Sequence, residues 1–359
     1  MQLHLVRITM FDITTLLRNN IKNIQPYSSA RDEYTGKEGV FLDANENPFG
    51  SVSGGHYNRY PDPLQREVKA ALAQLKRVEE SQIFLGNGSD EPIDLLYRAF
   101  CNPDKDNVII NPPTYGMYQV SADINDVEVR KVNLTEDFQL QVSEILKAVD
   151  GNTKMIFICS PNNPSGNLMR NEDIEQLLRS FNGIVVVDEA YIDFADTYSF
   201  STRLNEFPNL FVLQTFSKAW GMAALRLGMG YANAEIIKIL NKIKYPYNIN
   251  LATQALALKA LQNVIQKDKY VADLLEQRSL LIEELSKISK ILKIYPSDSN
   301  QVLIKVKGAG DIYKKLIGQL VIVRDRSKVT LCDDCLRISV GTNVENEAFL
   351  RALKTVLEA

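Results

Sequence analysis

The chain of 359 residues is long enough for roughly two domains with substantial apolar cores. Its 41 lysine and arginine residues against 44 aspartate and glutamate residues give a formal net charge of -3, so the sequence has no large basic field to hold nucleic acid or an anionic membrane surface. Hydrophobic residues make up 45% and charged residues 24% of the chain, which excludes disorder as its general state.

The cysteine pattern indicates a reducing compartment. The four cysteines Cys101, Cys159, Cys332 and Cys335 are spread thinly, which favours free thiols. The C-x-x-C spacing of Cys332 and Cys335 has no second pair and no histidine near it in the sequence, so we expect two ordinary loop thiols and no metal site. No run reaches the roughly 18 apolar residues of a membrane span, and residues 1–10 are too mixed for a secretory signal. We therefore expect a cytoplasmic protein.

The first 40 residues predict an arm rather than a domain. A weak helical stretch at residues 15–24 is followed by a polar run through Pro26, Arg31, Asp32 and Gly36. We expect residues 1–40 to pack against the smaller domain or a partner subunit.

From residue 41 to residue 248 helical and strand patterns alternate, which predicts a large α/β domain with a mostly parallel, seven-stranded sheet between helices. The predicted helices are 64–75, 91–100, 142–149 and 172–180, and the predicted strands are 82–85, 107–111, 154–159, 183–187 and 210–215. Continuous apolar strands such as residues 184–187 are typical of a sheet covered on both faces.

Beyond the Tyr245-Pro246-Tyr247 segment the pattern predicts a smaller α+β domain, residues 249–359. It begins with a long helical region from residue 250 to about residue 288. Three short strands, 301–306, 320–324 and 335–340, and two helices, 311–317 and 345–357, complete it.

Two segments carry residues suited to chemistry. Lys218 follows an apolar strand directly, with Thr215 and Ser217 before it and Arg226 eight residues after it. Asp188 ends the apolar run at 184–187, where open α/β sheets bind ligands. A buried acid there needs a cation, and a protonated pyridine nitrogen would be one. A helix N-cap role for Asp188 is the structural alternative.

Two further segments are turns that follow strands. Residues 160–166 contain proline breakers and polar side chains that are typical of turns. Residues 86–91 lead from a strand into a helix, where backbone N–H groups can bind an anion. Neither a G-x-G-x-x-G fingerprint nor a Walker lysine is present, which disfavours dinucleotide and P-loop sites.

Taken in order, these segments resemble the fold-type-I, pyridoxal-phosphate-dependent aminotransferases, and most closely the histidinol-phosphate aminotransferases. The likeness extends from residue 42 to residue 341 and runs through LDANENP at 42–48, RYPD at 59–62, GSDE at 88–91, PPTYGMY at 112–118, SPNNPSG at 160–166, VDEAYIDF at 187–194, the lysine segment at 215–228 and LRISVG at 336–341.

The resemblance implies roles for five residues around the cofactor ring. Lys218 would form the Schiff base with pyridoxal phosphate and then shuttle the reacting proton, because a desolvated lysine loses much of its preference for the charged form. Asp188 would pair with the ring nitrogen. Tyr191 and Asn163 match donors to the ring hydroxyl, and Tyr115 matches the aromatic residue stacked on the ring.

The resemblance also implies a phosphate site and a dimer. The groups matched to the 5′-phosphate are Arg226, the hydroxyls of Thr215 and Ser217, and the backbone N–H groups of Ser89 and Asp90. Tyr60 matches a tyrosine that reaches the phosphate of the neighbouring subunit, which implies a homodimer with sites at its interface.

The substrate anions need their own cations. Arg337 lies on an alternating strand that can project its guanidinium into a cleft, and it matches a residue that would hold the glutamate carboxylate and the substrate phosphate in turn. Arg324 matches a second phosphate contact, although Asp325 and Arg326 beside it equally suggest a charged, solvated turn. Asn45, in the motif at 42–48, is a third predicted substrate contact.

These expectations converge on an aminotransferase that interconverts L-histidinol phosphate plus 2-oxoglutarate and imidazole-acetol phosphate plus L-glutamate, in histidine biosynthesis. Three alternatives stay open: an aminotransferase for aromatic amino acids, a threonine-phosphate decarboxylase, and a non-catalytic pyridoxal-phosphate-binding regulator. The regulator is disfavoured because the arm before Val40 is too short for a winged helix.

Overall fold

The computed structural model describes residues 11–27 and 39–358. The first ten residues and most of the polar run, including Arg31, Asp32 and Gly36, lie outside the described residues. In that described part of the chain, no helix combines the length and the apolar character that crossing a membrane would need.

A seven-stranded sheet forms the larger part of the molecule. Its strands are β1 (Ile83–Asn87), β2 (Asn107–Ile110), β3 (Glu128–Lys131), β4 (Thr153–Cys159), β5 (Ile184–Asp188), β6 (Leu210–Thr215) and β7 (Leu227–Ala232). Their order across the sheet is β1-β7-β6-β5-β4-β2-β3, and β7 alone runs antiparallel to its neighbours. The predicted mostly parallel, seven-stranded α/β sheet is confirmed.

Helices cover both faces of this sheet, which is why β4, β5 and β6 are buried almost throughout. The α-helices before residue 248 are α1 (Ile13–Leu16), α2 (Asn19–Asn23), α3 (Arg66–Lys76), α4 (Asp90–Phe100), α5 (Met117–Ile124), α6 (Val142–Ala148), α7 (Asn171–Ser180) and α8 (Ala234–Ile243). The four helices and five strands predicted for this region agree with the structure to within two residues at each end, whereas α5, α8, β3 and β7 had not been predicted.

The predicted arm contains two short helices instead of one. Leu17 and Arg18 between them have extended backbone angles. Arg18 donates its backbone N–H to Ala99 and a guanidinium N–H to Arg98, and Ile13 is buried in the core beside α4. Residues 11–27 therefore pack on the seven-stranded unit rather than on the smaller domain as expected, while contact with a partner subunit stays a prediction.

A second, antiparallel sheet follows. Its strands are β8 (Ile291–Ile294), β9 (Gln301–Val306), β10 (Arg324–Asp325) and β11 (Cys335–Ser339), in the order β10-β11-β9-β8. The helices of this region are α9 (Leu251–Leu261), α10 (Val264–Ser286), α11 (Ala309–Gly318) and α12 (Asn343–Glu358), and the last three share an apolar core with the sheet.

The long helical region expected from residue 250 to about residue 288 is confirmed, as two helices, α9 and α10, that are separated at Gln262 and Asn263. One prediction in this region was wrong. The strand expected at residues 320–324 is reduced to β10, because Leu320 has a left-handed backbone with φ of 59° and Val321 donates its N–H back to Leu316 at the end of α11.

Candidate active site

A cavity of about 800 Å³ opens where β4, β5 and β6 reach their carboxyl ends. All the predicted site residues except Tyr60 and Asn45 line this cavity. The predicted residues that line it are Ser89, Asp90, Tyr115, Asn163, Asp188, Tyr191, Thr215, Ser217, Lys218, Arg226, Arg324 and Arg337. Residues from distant parts of the chain thus share one space.

Asp188 is the last residue of β5 and is buried, with 3% of its surface exposed. Its Oδ2 accepts a hydrogen bond from the Tyr118 hydroxyl at 2.7 Å and its Oδ1 accepts the Ala190 N–H at 3.1 Å. Burial raises the pKa of Asp188 to about 6, and these two hydrogen bonds oppose the rise. The carboxylate is a buried anion that a cation in the cavity would stabilise.

Lys218 lies three residues beyond β6 and extends into the cavity. Its Nζ is 5.3 Å from the centroid of the Tyr191 ring. Partial burial lowers the pKa of the Lys218 amine, and the nearby Arg337 guanidinium lowers it further, while Asp188 acts in the opposite direction. The amine is therefore easier to deprotonate than a surface lysine, as a nucleophile or base requires.

The loop between β1 and α4 supplies an anion cradle. Ser89 precedes the first turn of α4, so backbone N–H groups without helical partners face the cavity there. Arg226 lines the same part of the cavity and lies near the Ser217 hydroxyl, with Nη1 and Oγ 3.4 Å apart. This arrangement suits a phosphate group.

Two glycines allow the cradle to form. Gly88 has φ of +70° and donates its N–H to the Arg226 carbonyl at 2.6 Å. A Cβ at Gly88 would lie 2.7 Å from Arg226 Nη2, and a Cβ at Gly228 on β7 would lie 2.2 Å from the backbone carbon of Gly88. The loop can approach β7 this closely only because both residues lack a side chain.

The Asp90 carboxylate has an additional part in the cradle. Its Oδ1 accepts a hydrogen bond from the Tyr115 hydroxyl at 3.0 Å, and its Oδ2 lies 3.5 Å from Arg226 Nη2. The sequence had suggested only a backbone contribution from Asp90. The side chain instead connects Tyr115 to the arginine of the anion site.

The second sheet contributes cations at another wall of the cavity. Arg337 on β11 donates a 2.6 Å hydrogen bond to Oδ1 of Asn163, and Arg324 lies opposite Arg337 on β10. The loop that carries Asn163 is attached to the second sheet, because Gln301 donates to the Asn162 carbonyl and Asp298 accepts the Leu168 N–H. This loop therefore connects the two sheets at the cavity.

Tyr60 and Asn45 are the two predicted site residues outside this cavity. They line a separate cavity of about 460 Å³. The Tyr60 ring is half exposed and is stacked on Tyr247 with 4.5 Å between ring centroids. Within a single chain, neither residue joins Lys218.

Four residues at the site had not been assigned roles from the sequence. Tyr118 contacts Asp188, from which it is 70 residues distant along the chain, and no local sequence pattern indicates this contact. Lys131 and Arg326 also line the cavity. Glu189, buried behind the site, accepts hydrogen bonds from Gln214, Ser199 and the Phe200 N–H, and burial raises its pKa to about 7.

Comparison with known proteins agrees with this geometry. Residues 36–353 match the family model described as aminotransferase class I and II. The histidinol-phosphate aminotransferase of Cytophaga hutchinsonii is 60% identical over 345 residues, which cover 96% of this chain and 99% of that protein.

Two solved structures share the fold. The histidinol-phosphate aminotransferase from Clostridium acetobutylicum has a TM-score of 0.78 and 26% identity, covering 84% of this chain and 91% of that one. The enzyme from Sinorhizobium meliloti, in complex with pyridoxal-5′-phosphate, has a TM-score of 0.78 and 20% identity, covering 95% and 97% of the two chains, and supports the fold alone. The chain belongs to the class I and II aminotransferase family and, within it, to the histidinol-phosphate aminotransferases.

Proposed function

We propose that this chain is a pyridoxal-phosphate-dependent aminotransferase that interconverts L-histidinol phosphate plus 2-oxoglutarate and imidazole-acetol phosphate plus L-glutamate, in histidine biosynthesis. The observation that carries the proposal is the convergence of Lys218, Asp188 and Arg226 on one cavity. The 60% identity to a relative of that name over almost the whole chain supports the choice of substrate.

The residues present fit the cofactor. Asp188 is a buried acid that forms no ion pair within the described part of the chain, and the cradle at Ser89 and Arg226 is suited to a phosphate. Asp188 would hold the ring nitrogen, and Arg226, Ser217, Thr215 and the N–H groups of Ser89 and Asp90 would hold the phosphate. Pyridoxal phosphate supplies an electrophilic carbon for the substrate amine and a ring that withdraws electrons from the substrate Cα.

The protein contributes the base and the anion sites. Lys218 Nζ, whose pKa is lowered, would accept the proton from the Cα of the amine substrate and, when the reaction runs in the opposite direction, would deliver a proton to Cα. Tyr191, whose ring centroid is 5.3 Å from this amine, and Asn163 line the same cavity and would hold the ring hydroxyl of the cofactor. Tyr115 lines the cavity beside Asp90 of the cradle and would stack on the ring. Arg337 binds the anionic end of each substrate in turn, with Arg324 beside it on β10.

An absorbance titration of the holoenzyme tests the substrate. L-histidinol phosphate, L-phenylalanine and L-threonine phosphate are each added alone, and then steady-state rates are measured with 2-oxoglutarate. We expect conversion of the cofactor absorbance and turnover with L-histidinol phosphate. Turnover of phenylalanine alone would indicate an aromatic aminotransferase. Carbon dioxide release from threonine phosphate without turnover of L-histidinol phosphate would indicate a decarboxylase.

A second experiment tests the role of Lys218. Borohydride reduction followed by mass spectrometry should add the cofactor mass to the wild-type chain and leave Lys218→Ala unlabelled. Lys131→Ala is the matched control, because Lys131 is another lysine of the same cavity. Activity should fall by at least about 100-fold in Lys218→Ala, as expected when a general base is lost. Covalent labelling of Lys218→Ala would contradict the assignment.

The proposal includes a homodimer and a cytoplasmic location. Tyr60, together with the exposed apolar side chains of Leu42, Phe49 and Val52, lies away from the main cavity and would become covered by a second copy. The four cysteines are all free in the structure, which supports a reducing compartment.

A further inference from the structure

Arg326 is a cavity residue for which the proposed reaction has no use. It lines the same cavity as Lys218 and Arg337, although the sequence suggested a charged, solvated turn at this position. Its Nε is buried and has no hydrogen-bond partner in the described structure. An arginine keeps its charge and its five N–H donors, so a buried donor without an acceptor is unfavourable until an acceptor arrives.

The pairing of β10 with β11 explains why Arg326 faces the cavity. Arg324 lies opposite Arg337, and the Arg326 N–H donates to the Cys335 carbonyl at 2.9 Å, which continues the same register by two residues. Residues two apart share one face of a strand, so Arg326 lies on the face of Arg324 and is the diagonal neighbour of Arg337. Three guanidinium groups therefore share one wall of the cavity.

The carboxylate between Arg324 and Arg326 is engaged elsewhere, because Asp325 accepts hydrogen bonds from the Ser327 N–H and hydroxyl. Arg337 donates only to the neutral amide oxygen of Asn163, and its Nε is also buried without a partner among the described residues. Burial lowers the pKa of Arg337 and of Arg326, and each is lowered further by a neighbouring arginine. The wall holds concentrated positive charge that an anion would neutralise.

We propose that Arg326 binds the phosphate monoester of the amine substrate, together with Arg337 and Arg324, and makes the enzyme favour this dianion over the carboxylates of glutamate. The inference rests on the proposed function, since it concerns that reaction's phosphate-bearing substrate. A phosphate monoester has about two negative charges on three oxygens near neutral pH. A carboxylate has one charge on two oxygens, which a single guanidinium satisfies.

The proposed phosphate site differs from the cradle assigned to the cofactor. The cradle is formed by Arg226 and the start of α4, on the seven-stranded unit, whereas Arg326 belongs to the second sheet. A change at Arg326 should therefore alter the binding of substrate and leave the amount of bound cofactor unchanged.

The experiment compares Arg326→Gln with Arg326→Lys and with Lys328→Gln. Lys328 is an exposed cation in the same segment that does not line the cavity, so it controls for a general loss of positive charge. Each holoenzyme is titrated with L-histidinol phosphate, L-histidinol or L-glutamate alone, and the absorbance of the bound cofactor reports a single half-reaction.

Arg326→Gln loses a charge-assisted hydrogen bond, so its affinity for L-histidinol phosphate should be about 10- to 100-fold lower than that of the wild type. The affinities for L-histidinol and for L-glutamate should each change by less than about threefold. Arg326→Lys should recover part of the lost affinity for L-histidinol phosphate, and Lys328→Gln should bind all three compounds as the wild type does. Unchanged use of L-histidinol phosphate, an equal loss with glutamate, or a lower cofactor content in Arg326→Gln would overturn the proposal.

Calorimetric titration with methyl phosphate separates this inference from the proposed function. Wild-type holoenzyme should bind methyl phosphate, and Arg326→Gln should bind it at least about tenfold more weakly. If the wild type fails to use L-histidinol phosphate, the proposed function fails, yet this difference in methyl phosphate affinity still supports the role of Arg326. Equal affinity, or no binding by the wild type, contradicts the role.

Discussion

The Tyr118 hydroxyl donates a 2.7 Å hydrogen bond to Oδ2 of Asp188, the acid at the end of β5. The Tyr118 ring is fully buried and is stacked on Phe157, with ring centroids 4.9 Å apart, and Tyr97 is stacked on the same Phe157. This aromatic column holds the phenol in place, so the orientation of Asp188 is set before a ligand binds.

Replacing Tyr118 by phenylalanine should raise the pKa of Asp188. The lost hydrogen bond favours the ionised carboxylate, and hydrogen bonds to charged groups contribute about 1.5–3 kcal/mol, equivalent to about one to two pKa units. Because the proposed role of Asp188 requires the ionised form, the acidic limb of the pH profile of kcat/KM should move to higher pH. Steady-state rates across the pH range check this.

Tyr97→Phe is the matched control for this experiment. The Tyr97 hydroxyl is buried in the same column and donates to the Tyr118 carbonyl at 2.8 Å, so this variant loses a phenol hydrogen bond without touching Asp188. Its acidic limb should stay in place. Equal shifts in both variants would show that packing, not the hydrogen bond to Asp188, sets the pH dependence.

Removing the cofactor should change how stability depends on pH. Burial raises the pKa of Asp188 from 3.8 to about 6, so the folded apoprotein binds more protons than the unfolded chain between these values. Its free energy of unfolding should therefore fall by about 3 kcal/mol as the pH rises through this window. In the holoenzyme a cation beside Asp188 should lower that pKa and remove most of the decline.

Urea unfolding of the apo and holo forms between pH 4 and pH 7 checks this prediction. Asp188→Asn is the control, because without the carboxyl group the free energy of unfolding should depend on pH in the same way in both forms. Glu189 also has a raised pKa, about 7, but does not line the cavity and should contribute equally to both forms. Parallel pH profiles for the apo and holo wild type would contradict the assigned pairing of Asp188 with a cation.

A methyl group at Gly228 should disrupt the anion cradle. The added Cβ would lie within 2.4 Å of three backbone atoms of Gly88 and Ser89, so the loop before α4 must move. Overpacking of this kind costs about 1–3 kcal/mol. Gly228→Ala should lower both the free energy of unfolding and the affinity of the apoprotein for pyridoxal phosphate, measured by urea unfolding and by absorbance titration.

Gly318→Ala is the corresponding control. Gly318 ends α11, and a Cβ there would have no atom within 4 Å. Alanine in a helix is favoured over glycine by about 0.5–1 kcal/mol, so this variant should be as stable as the wild type or more so, with unchanged cofactor affinity. Wild-type cofactor affinity in Gly228→Ala would show that the cradle does not bind the phosphate.

The predictable strands were those with continuous apolar runs between turn residues. Residues 184–187 and 210–215 are typical. Their position made Asp188 and Lys218 candidates for chemistry, and the resemblance of the ordered segments supplied the predicted role of each. β3 could not be predicted from the sequence, because its four residues, EVRK, are mostly charged and lack the apolar pattern of a strand. β7 has two glycines, which weaken the strand signal but are needed where the cradle and the Phe211 ring approach β7.

Tyr118 and Arg326 could not be predicted as site residues, because contacts between distant parts of the chain bring them to the cavity. Tyr118 is 70 residues from Asp188 along the chain, and no local pattern connects them. Arg326 looked like part of a charged turn, because only the register of β10 with β11 places it on the face of Arg337. Strand pairing across the sheet cannot be read from alternation within one short segment.

Subunit mixing tests whether Tyr60 completes the active site of a partner subunit. Lys218→Ala and Tyr60→Ala are each purified, then unfolded and refolded together in equal amounts. If Tyr60 serves the neighbouring site, each hybrid dimer contains one site with both an intact Lys218 and an intact Tyr60. Random pairing makes half of the dimers hybrids, so the mixture should reach about a quarter of wild-type activity, above the mean of the two refolded parents.

The control mixes Lys218→Ala with Asp188→Ala, two changes in the same cavity of one chain. A hybrid of these two variants should not recover activity if each cavity is formed by a single chain. With Tyr60→Ala as the second partner, the outcome depends on which chain supplies the tyrosine. If Tyr60 serves its own chain, the intact pair lies in neither site, because one site lacks Lys218 and the other lacks Tyr60.

 In a hybrid of Lys218→Ala with Asp188→Ala, one site lacks Lys218 and the other lacks Asp188, because both residues line the cavity of their own chain. No intact site forms, so this control mixture should show no activity above its parents, and native mass spectrometry of both mixtures checks that hybrids are present. Recovery with Tyr60→Ala but not with Asp188→Ala supports a tyrosine supplied across the interface. Hybrids without recovery in either mixture would place Tyr60 with its own chain.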